Sequence, residues 1–413
     1  MNRNIRWLVV GAALRACGLS LITPYFVLFV RNVLGIGYLE IGGLVVLVAL
    51  PQLVVSSVGG LIADRIGRRI LFLSSMVAEA VLILVVALAM HDRNLPFLLA
   101  AVSGAGIAGS LAGPAISAYT ADFTTGSDRT RAFTWERVSW NVGFTLGVFV
   151  GGALVGTVGF VLSGTFGGTV LLGTTSLLVT QIDASPYDLA RRPVPQPTTP
   201  PGSSVAPGSV RATLQSLARD RAFLVFSLGM GLAVLTAGQW GVTFPLFVNN
   251  VLGIPYVLLG VGLALNGLVV VFFQPPVTAW AIGRRHTSLA VIGLALYVAA
   301  FLFLAAFGEL RIALLTAFFV SVFVLTIGEN FQSIAGMTLP SNLAPPSEIG
   351  AYNGAYQTIT GIGFTLAPFL GSLVLALTLN PLAIWSLLVL PAIPATALLL
   401  WVAPRIPERA NRA

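Results

Sequence analysis

Gly60-Leu61-Ile62-Ala63-Asp64-Arg65-Ile66-Gly67-Arg68-Arg69 joins two long apolar runs and sets one carboxylate and three guanidiniums within ten residues. Arginine in a short loop between membrane-length segments is held on the cytoplasmic side. Gly60 and Gly67 allow a tight turn and a close approach of two helices. Asp64 can accept hydrogen bonds from a helix N-terminus, where negative charge is favoured. A hairpin that only fixes topology is the simpler alternative. A second copy of these surroundings, further along the chain, argues against it.

Working outward, the chain has 413 residues, 56% hydrophobic and only 9% charged, with a mean hydropathy of +0.93. That composition describes a polytopic membrane protein. The net charge of +8 is carried by arginine, because the sequence contains no lysine. The arginines fall in predicted loops, where they would meet anionic lipid, so the high pI does not imply nucleic acid. Without lysine there is neither a phosphate-binding P-loop nor Schiff-base chemistry. His91 and His286 fall in predicted loops on opposite faces, and Cys17 is the single cysteine, so no metal cluster or disulfide framework is expected. The composition points away from an enzyme, and no cofactor is implied. At the N-terminus the apolar run after Arg3 and Arg6 continues past Arg15 and Pro24. It is too long for a signal peptide, and reads as an uncleaved first span.

Apolar runs predict twelve transmembrane helices, near 6–30, 40–62, 71–90, 96–119, 132–156, 160–180, 221–248, 255–280, 288–307, 311–338, 350–379 and 381–403. Residues 181–220 carry Pro193, Pro195, Pro197, Pro200, Pro201 and Pro207 among Ser, Thr and Arg, and read as a cytoplasmic linker. With both termini cytoplasmic, seventeen loop arginines lie inside and three (Arg31, Arg93 and Arg311) lie outside. A cell inner, or plasma, membrane location follows.

An internal repeat sets the architecture. Leu28-Phe29-Val30-Arg31-Asn32-Val33-Leu34-Gly35-Ile36-Gly37-Tyr38 recurs as Leu246-Phe247-Val248-Asn249-Asn250-Val251-Leu252-Gly253-Ile254-Pro255-Tyr256, at an offset of 218. Ile66-Gly67-Arg68-Arg69 returns as Ile282-Gly283-Arg284-Arg285, offset 216, and Gly143-Phe144-Thr145-Leu146 as Gly363-Phe364-Thr365-Leu366, offset 220. The reading is an all-α membrane protein of two pseudo-symmetric six-helix halves, 1–180 and 221–413, joined by 181–220.

Gly60–Arg69 resembles the loop signature of the major facilitator superfamily, with Ile62 in place of leucine. Gly143-x-x-x-Gly147-x-x-x-Gly151-Gly152 resembles the antiporter signature of its 12-helix drug:proton group. Val148 occupies the proline position there, and Pro368 supplies a proline in the second half. A stripe of small residues in helices 5 and 11 is expected to pack against the opposite half, with generic small-residue packing as the alternative to an antiporter-specific role. The resemblance implies that Asp64 caps helix 11 and that Arg68 pairs with Asp122. With Gly60, Arg65, Gly67 and Arg69 these residues form a gate latch. The resemblance also implies that helices 1, 4, 7 and 10 line a central cavity. One departure stands out. Helix 4 lacks the group's arginine, and its Gly104-x-Gly106-x-x-Gly109 reads as helix packing.

Charges within spans are costly, roughly 2.5–3.5 kcal/mol on insertion scales, and mark function. Arg15 in helix 1 and Glu329 in helix 10 are both expected to face the cavity, with a structural ion pair or a snorkelling arginine as the alternative, and Glu329 is expected to be the proton-coupling carboxylate. Glu79 in helix 3, an outer-layer helix, is read as a structural carboxylate or a second coupling candidate. Thr23, Gln52, Trp140, Asn141, Gln239, Trp240, Asn266, Asn330, Tyr356 and Gln357 are the remaining candidates for the substrate pocket, each with helix-helix glue or an interfacial anchor as the alternative. Together they suggest a largely apolar cavity for an amphipathic solute. The expected function is proton-coupled efflux of such a solute by alternating access, in a monomer contacting membrane lipid and no nucleic acid. Proton-coupled uptake of a small nutrient is the alternative, as is a sensor or lipid-handling protein without transport.

Overall fold

The computed structural model describes residues 2–124, 126–184, 186–190, 216–345 and 348–412. The first sequence half comprises α1 (Arg3–Asn32), α2 (Tyr38–Ile66), α3 (Arg68–His91), α4 (Leu95–Asp122), α5 (Gly126–Thr157) and α6 (Phe160–Gln181). The second comprises α7 (Arg221–Gly241), α8 (Tyr256–Ala281), α9 (His286–Leu310), α10 (Leu314–Leu343), α11 (Ile349–Leu377) and α12 (Pro381–Arg405). Eleven of them contain stretches long and apolar enough to cross a membrane. The other, α2, has 29 residues and a length of about 43 Å at 1.5 Å per residue. All twelve expected spans are helical. Among the described residues there is no sheet, only an isolated bridge between Arg285 and Arg412.

Local chemistry sets the helix ends. Asn94, Asp220 and Asn380 cap α4, α7 and α12, each accepting from a backbone N–H three residues on, at 2.9–3.0 Å. Between α2 and α3 the turn is a single residue, Gly67, at φ +113°. A side chain there would be strained, so glycine is what lets Arg68 open a new helix at once.

The described chain forms two compact units. Unit 1 spans Met1–Arg192 and Gly241–Val271; unit 2 spans Pro193–Trp240 and Phe272–Ala413. The repeat is visible inside unit 1 as one loop built twice. Arg31 Nη1 donates to Ile36 O at 3.0 Å, and its counterpart Asn249 Nδ2 donates to Ile254 O at 2.9 Å. Gly35 and Gly253 take φ of +72° and +75°. The equivalent asparagines meet each other, Asn250 Nδ2 donating to Asn32 Oδ1 at 2.5 Å.

The glycine stripe of α5 packs differently from the expectation. Gly143, Gly147 and Gly151 lie against α1 of their own half; a Cβ on them would come within 1.9 Å of Ala13 O, 2.0 Å of Ser20 Oγ and 2.5 Å of Leu21 O. Gly152, and Gly156 one turn beyond the stripe, meet the second half of the sequence, at Tyr256 and Gly260 and at Val257. Within unit 2, Gly363 of α11 packs on α7 in the same manner, where an added Cβ would come within 2.7 Å of Gly231 O. The stripes therefore join helices within each half of the repeat, because the closest approach available is between backbones already held side by side.

Candidate functional site

Arg15 and Glu79 form a bidentate ion pair inside unit 1. Nε donates to Oε2 at 2.7 Å and Nη2 to Oε1 at 3.0 Å, and the side chains are only 11% and 5% exposed. Fork-to-fork geometry of this kind is the strongest arrangement open to the two groups. Helix α4 supplies the recess that holds them. Nη2 also reaches Gly109 O at 3.5 Å, and a Cβ on Gly109 would lie 2.4 Å from Glu79 Oε1. Gly106 does the same for Gln52, whose Nε2 a Cβ would approach to 2.1 Å. Gly106 and Gly109 thus make a notch for polar side chains, while Gly104 packs against Leu82.

The pair lies in the wall of a cavity of about 390 Å³ enclosed by α1, α2, α3 and α4. Thr23, Gln52 and Ser110 are its other polar walls; Phe26, Ile83 and Val86 are among the apolar ones. On its far side Arg15 lies 5.6 Å from the Trp140 ring centroid. A void of about 30 Å³ brings Arg15 and Trp140 together with Glu136 of α5, and the Arg15 charge acts on Glu136. Glu136 escaped the sequence reading. It sits at the edge of an expected span, where a carboxylate reads as a loop residue.

The other expected pocket residues are dispersed. Asn141 Nδ2 donates to Arg137 O of its own helix at 3.0 Å. Gln239 ties α7 to α11, donating to Ala367 O at 2.9 Å next to Pro368. Asn266 is buried in α8, Trp240 is half-buried and Gln357 is exposed. Tyr356 stacks on Phe226 at 6.1 Å, with its hydroxyl over Gly336. Glu329 lies half-buried on α10 in unit 2, next to Asn330 and within electrostatic reach of Tyr297 on α9. The buried carboxylate that meets Arg15 is Glu79, on a helix the sequence reading assigned to the outer layer.

At the Gly67 turn, Arg68 forms an ion pair with Asp122 at the end of α4. Arg69 donates to Ile182 O and Val179 O, both at 2.9 Å. The following chain adds an anion. Asp188, in the one-turn helix Pro186–Ala190, accepts from Arg68 N at 2.8 Å and Arg69 N at 3.1 Å, capping α3. This part of the expected linker is therefore folded onto unit 1. Arg65 is exposed. Gly60 and Asp64 lie outside the residues whose side chains are described, and the expected contact of Asp64 with helix 11 lies there with them.

The sequence matches the Major Facilitator Superfamily over residues 8–324 and 241–413. The chain belongs to that superfamily. It is a membrane transporter, not an enzyme. Among relatives in the superfamily, it is 24% identical over 392 residues to a Na+, Li+, K+/H+ antiporter of Planococcus maritimus, covering 89% of this chain and 88% of that one. It is 26% identical over 152 residues to the quinolone resistance protein NorA of Staphylococcus aureus, covering 37% and 38%. Its fold is similar to that of a solved D-xylose-proton symporter, with a TM-score of 0.73 at 15% identity over 99% and 98% of the two chains.

Proposed function

We propose that the protein is a secondary active transporter that exports a small amphipathic solute in exchange for protons, rocking between two states around a midplane site. It works in the cell membrane as a monomer with both termini cytoplasmic, as the arginine distribution favours. The observation that carries this reading is the buried Arg15–Glu79 pair in the wall of a largely apolar cavity of about 390 Å³. A lone carboxylate in apolar surroundings favours its protonated form, and an adjacent guanidinium favours the ionised one. Withdrawing Arg15 from Glu79 would load a proton, and restoring the contact would release it. Glu136 supplies a carboxylate on the other side of Arg15 toward which the guanidinium can move. The missing helix 4 arginine is compensated by a guanidinium that α1 delivers into the α4 notch. Glu329 is retained as a second coupling candidate. The apolar walls suit a lipophilic solute with few hydrogen-bonding groups. The Arg68–Asp122 pair and the Asp188 cap serve as the latch at the cytoplasmic end.

The test uses everted vesicles energised by a pH gradient, with ethidium and norfloxacin as probes and D-xylose as the control. Wild type should accumulate an amphipathic probe only while the gradient lasts. Glu79→Gln should cut gradient-driven uptake at least tenfold, yet still bind the probe, as read by quenching of tryptophan fluorescence. Wild-type pH dependence in Glu79→Gln would remove coupling from this pair and leave Glu329→Gln as the next variant. Transport of D-xylose in place of both probes would overturn efflux of amphipathic solutes.

A further inference from the structure

Ile-Gly-Arg-Arg occurs twice, and the two copies dispose of their charge differently. In unit 1, Arg68 faces Asp122, Arg69 is bound by two carbonyls, and Asp188 closes the N-terminus of α3. In unit 2, the position of Asp64 is held by Trp280. Positions 338–342, which correspond to Asp122 at offsets of 216–220, contain no acid. Thr287 N at the start of α9 is capped by the neutral amide of Asn411, at 3.1 Å, and the first turn of α9 has no acid.

The guanidiniums of unit 2 gather instead around a recess of about 280 Å³, lined by Arg284, Arg285 and Arg412 with Trp280, Ser288 and Ile292. Arg284 Cζ lies over the Trp280 ring, 3.6 Å from its centroid, and Nε donates to Trp280 O at 3.0 Å. A stacked guanidinium keeps its outer N–H groups available in a fixed fork. The carboxylate in contact here is Glu408, 2.6 Å from Arg412 and 3.6 Å from Arg285. Three positive groups thus meet one negative group. The rim is apolar and open, with Trp280 45% and Ile282 71% exposed at the end of a transmembrane helix. Tryptophan at a span end marks the headgroup level of a bilayer.

We propose that this recess binds the phosphate headgroup of an anionic phospholipid, its acyl chains lying along the exposed end of α8. The planar forks match a phosphodiester, and basic pockets beside transmembrane helices suit such headgroups. A free phosphate shares the headgroup chemistry but gains nothing from the apolar rim.

The experiment is a binding titration of the purified, delipidated full chain in detergent, read by native mass spectrometry. The probes are phosphatidylglycerol, phosphatidylcholine and inorganic phosphate. Phosphatidylglycerol should bind at least tenfold more tightly than phosphatidylcholine, and millimolar phosphate should not displace it. Each guanidinium near a charged lipid surface accounts for about fivefold in affinity, so Arg284→Gln and Arg412→Gln should each lose about that factor. Arg284→Lys keeps the charge but loses the planar fork, so its affinity should fall between those of wild type and Arg284→Gln, which separates charge loss from misfolding. Arg405→Gln, on the neighbouring Trp401 stack, should bind as wild type. Equal binding of the two lipids, displacement by inorganic phosphate, or wild-type affinity in both glutamine variants would overturn the proposal.

Discussion

The turns at Gly67 and Gly283 start from the same tetrapeptide and end with opposite electrostatics. The first is closed by carboxylates of its own chain, with Asp122 on Arg68 and Asp188 across the start of α3. The second rests its arginines on an aromatic ring and one exposed carboxylate, and a neutral amide caps the helix that follows. A repeat preserves the backbone solution more readily than the charge solution. Turn geometry needs a glycine at positive φ, as at Gly67 and Gly283, whereas any anion of suitable shape satisfies a guanidinium.

The largest expected difference between the turns lies in the Arg68–Asp122 pair, whose side chains are 18% and 11% exposed. Removing one member of a largely buried pair strands the other charge and costs about 3 kcal/mol. Asp122→Asn should therefore lower the melting temperature measurably and reduce transport at least tenfold. Arg284→Ala and Arg285→Ala, both at exposed positions, should change transport less than twofold in lipid of fixed composition. Equal damage from the two sets of variants in a vesicle transport assay would erase the asymmetry.

Which parts of this were legible in the sequence depends on what the sequence encodes locally. Twelve spans follow from hydropathy, and the pseudo-symmetric halves from three matched segments in order. The Asn32–Asn250 contact shows why those residues recur together. The Arg68–Asp122 contact was reachable only through the family resemblance. By contrast, Arg15 and Glu79 are 64 positions apart, and no periodicity links them. Their meeting depends on Gly109 leaving room on a third helix, a fact of packing. Asp188 was hidden in a proline-rich segment read as solvated. The glycine stripe was recognised by spacing, but spacing alone does not say which neighbour it faces.

A sharper comparison comes from giving the second turn the acid it lacks. Trp280→Asp restores the residue found at the equivalent place in the first turn. It removes the ring under Arg284 and sets a carboxylate beside the recess. Phosphatidylglycerol affinity should then fall by about fivefold or more, the equivalent of one guanidinium neutralised. Trp280→Phe keeps a ring face and should hold affinity within about twofold. If Trp280→Asp binds phosphatidylglycerol as wild type does, the missing acid is not what makes the second turn lipid-seeking.

The smallest effect is a pH dependence that only the second turn should show. Hydrogen bonding from Arg412, reinforced by its charge and more weakly by Arg285, holds the Glu408 carboxyl below the usual carboxylate range. A depressed carboxylate keeps its pairing above its ordinary pKa and loses it as pH falls through the lowered value. Protonation would then release Arg412 and Arg285 toward the recess, while a phosphodiester, the stronger acid, stays ionised. Phosphatidylglycerol affinity should accordingly rise a few-fold on acidification. His286 is the other titratable group at this turn, fully buried at the start of α9; charging it would push in the same direction. Glu408→Gln separates the two, because it should bind phosphatidylglycerol a few-fold more tightly at neutral pH and lose the acid-induced rise. Wild-type affinity at neutral pH together with an unchanged rise in Glu408→Gln would move the pH response from Glu408 to His286, where His286→Gln would abolish it.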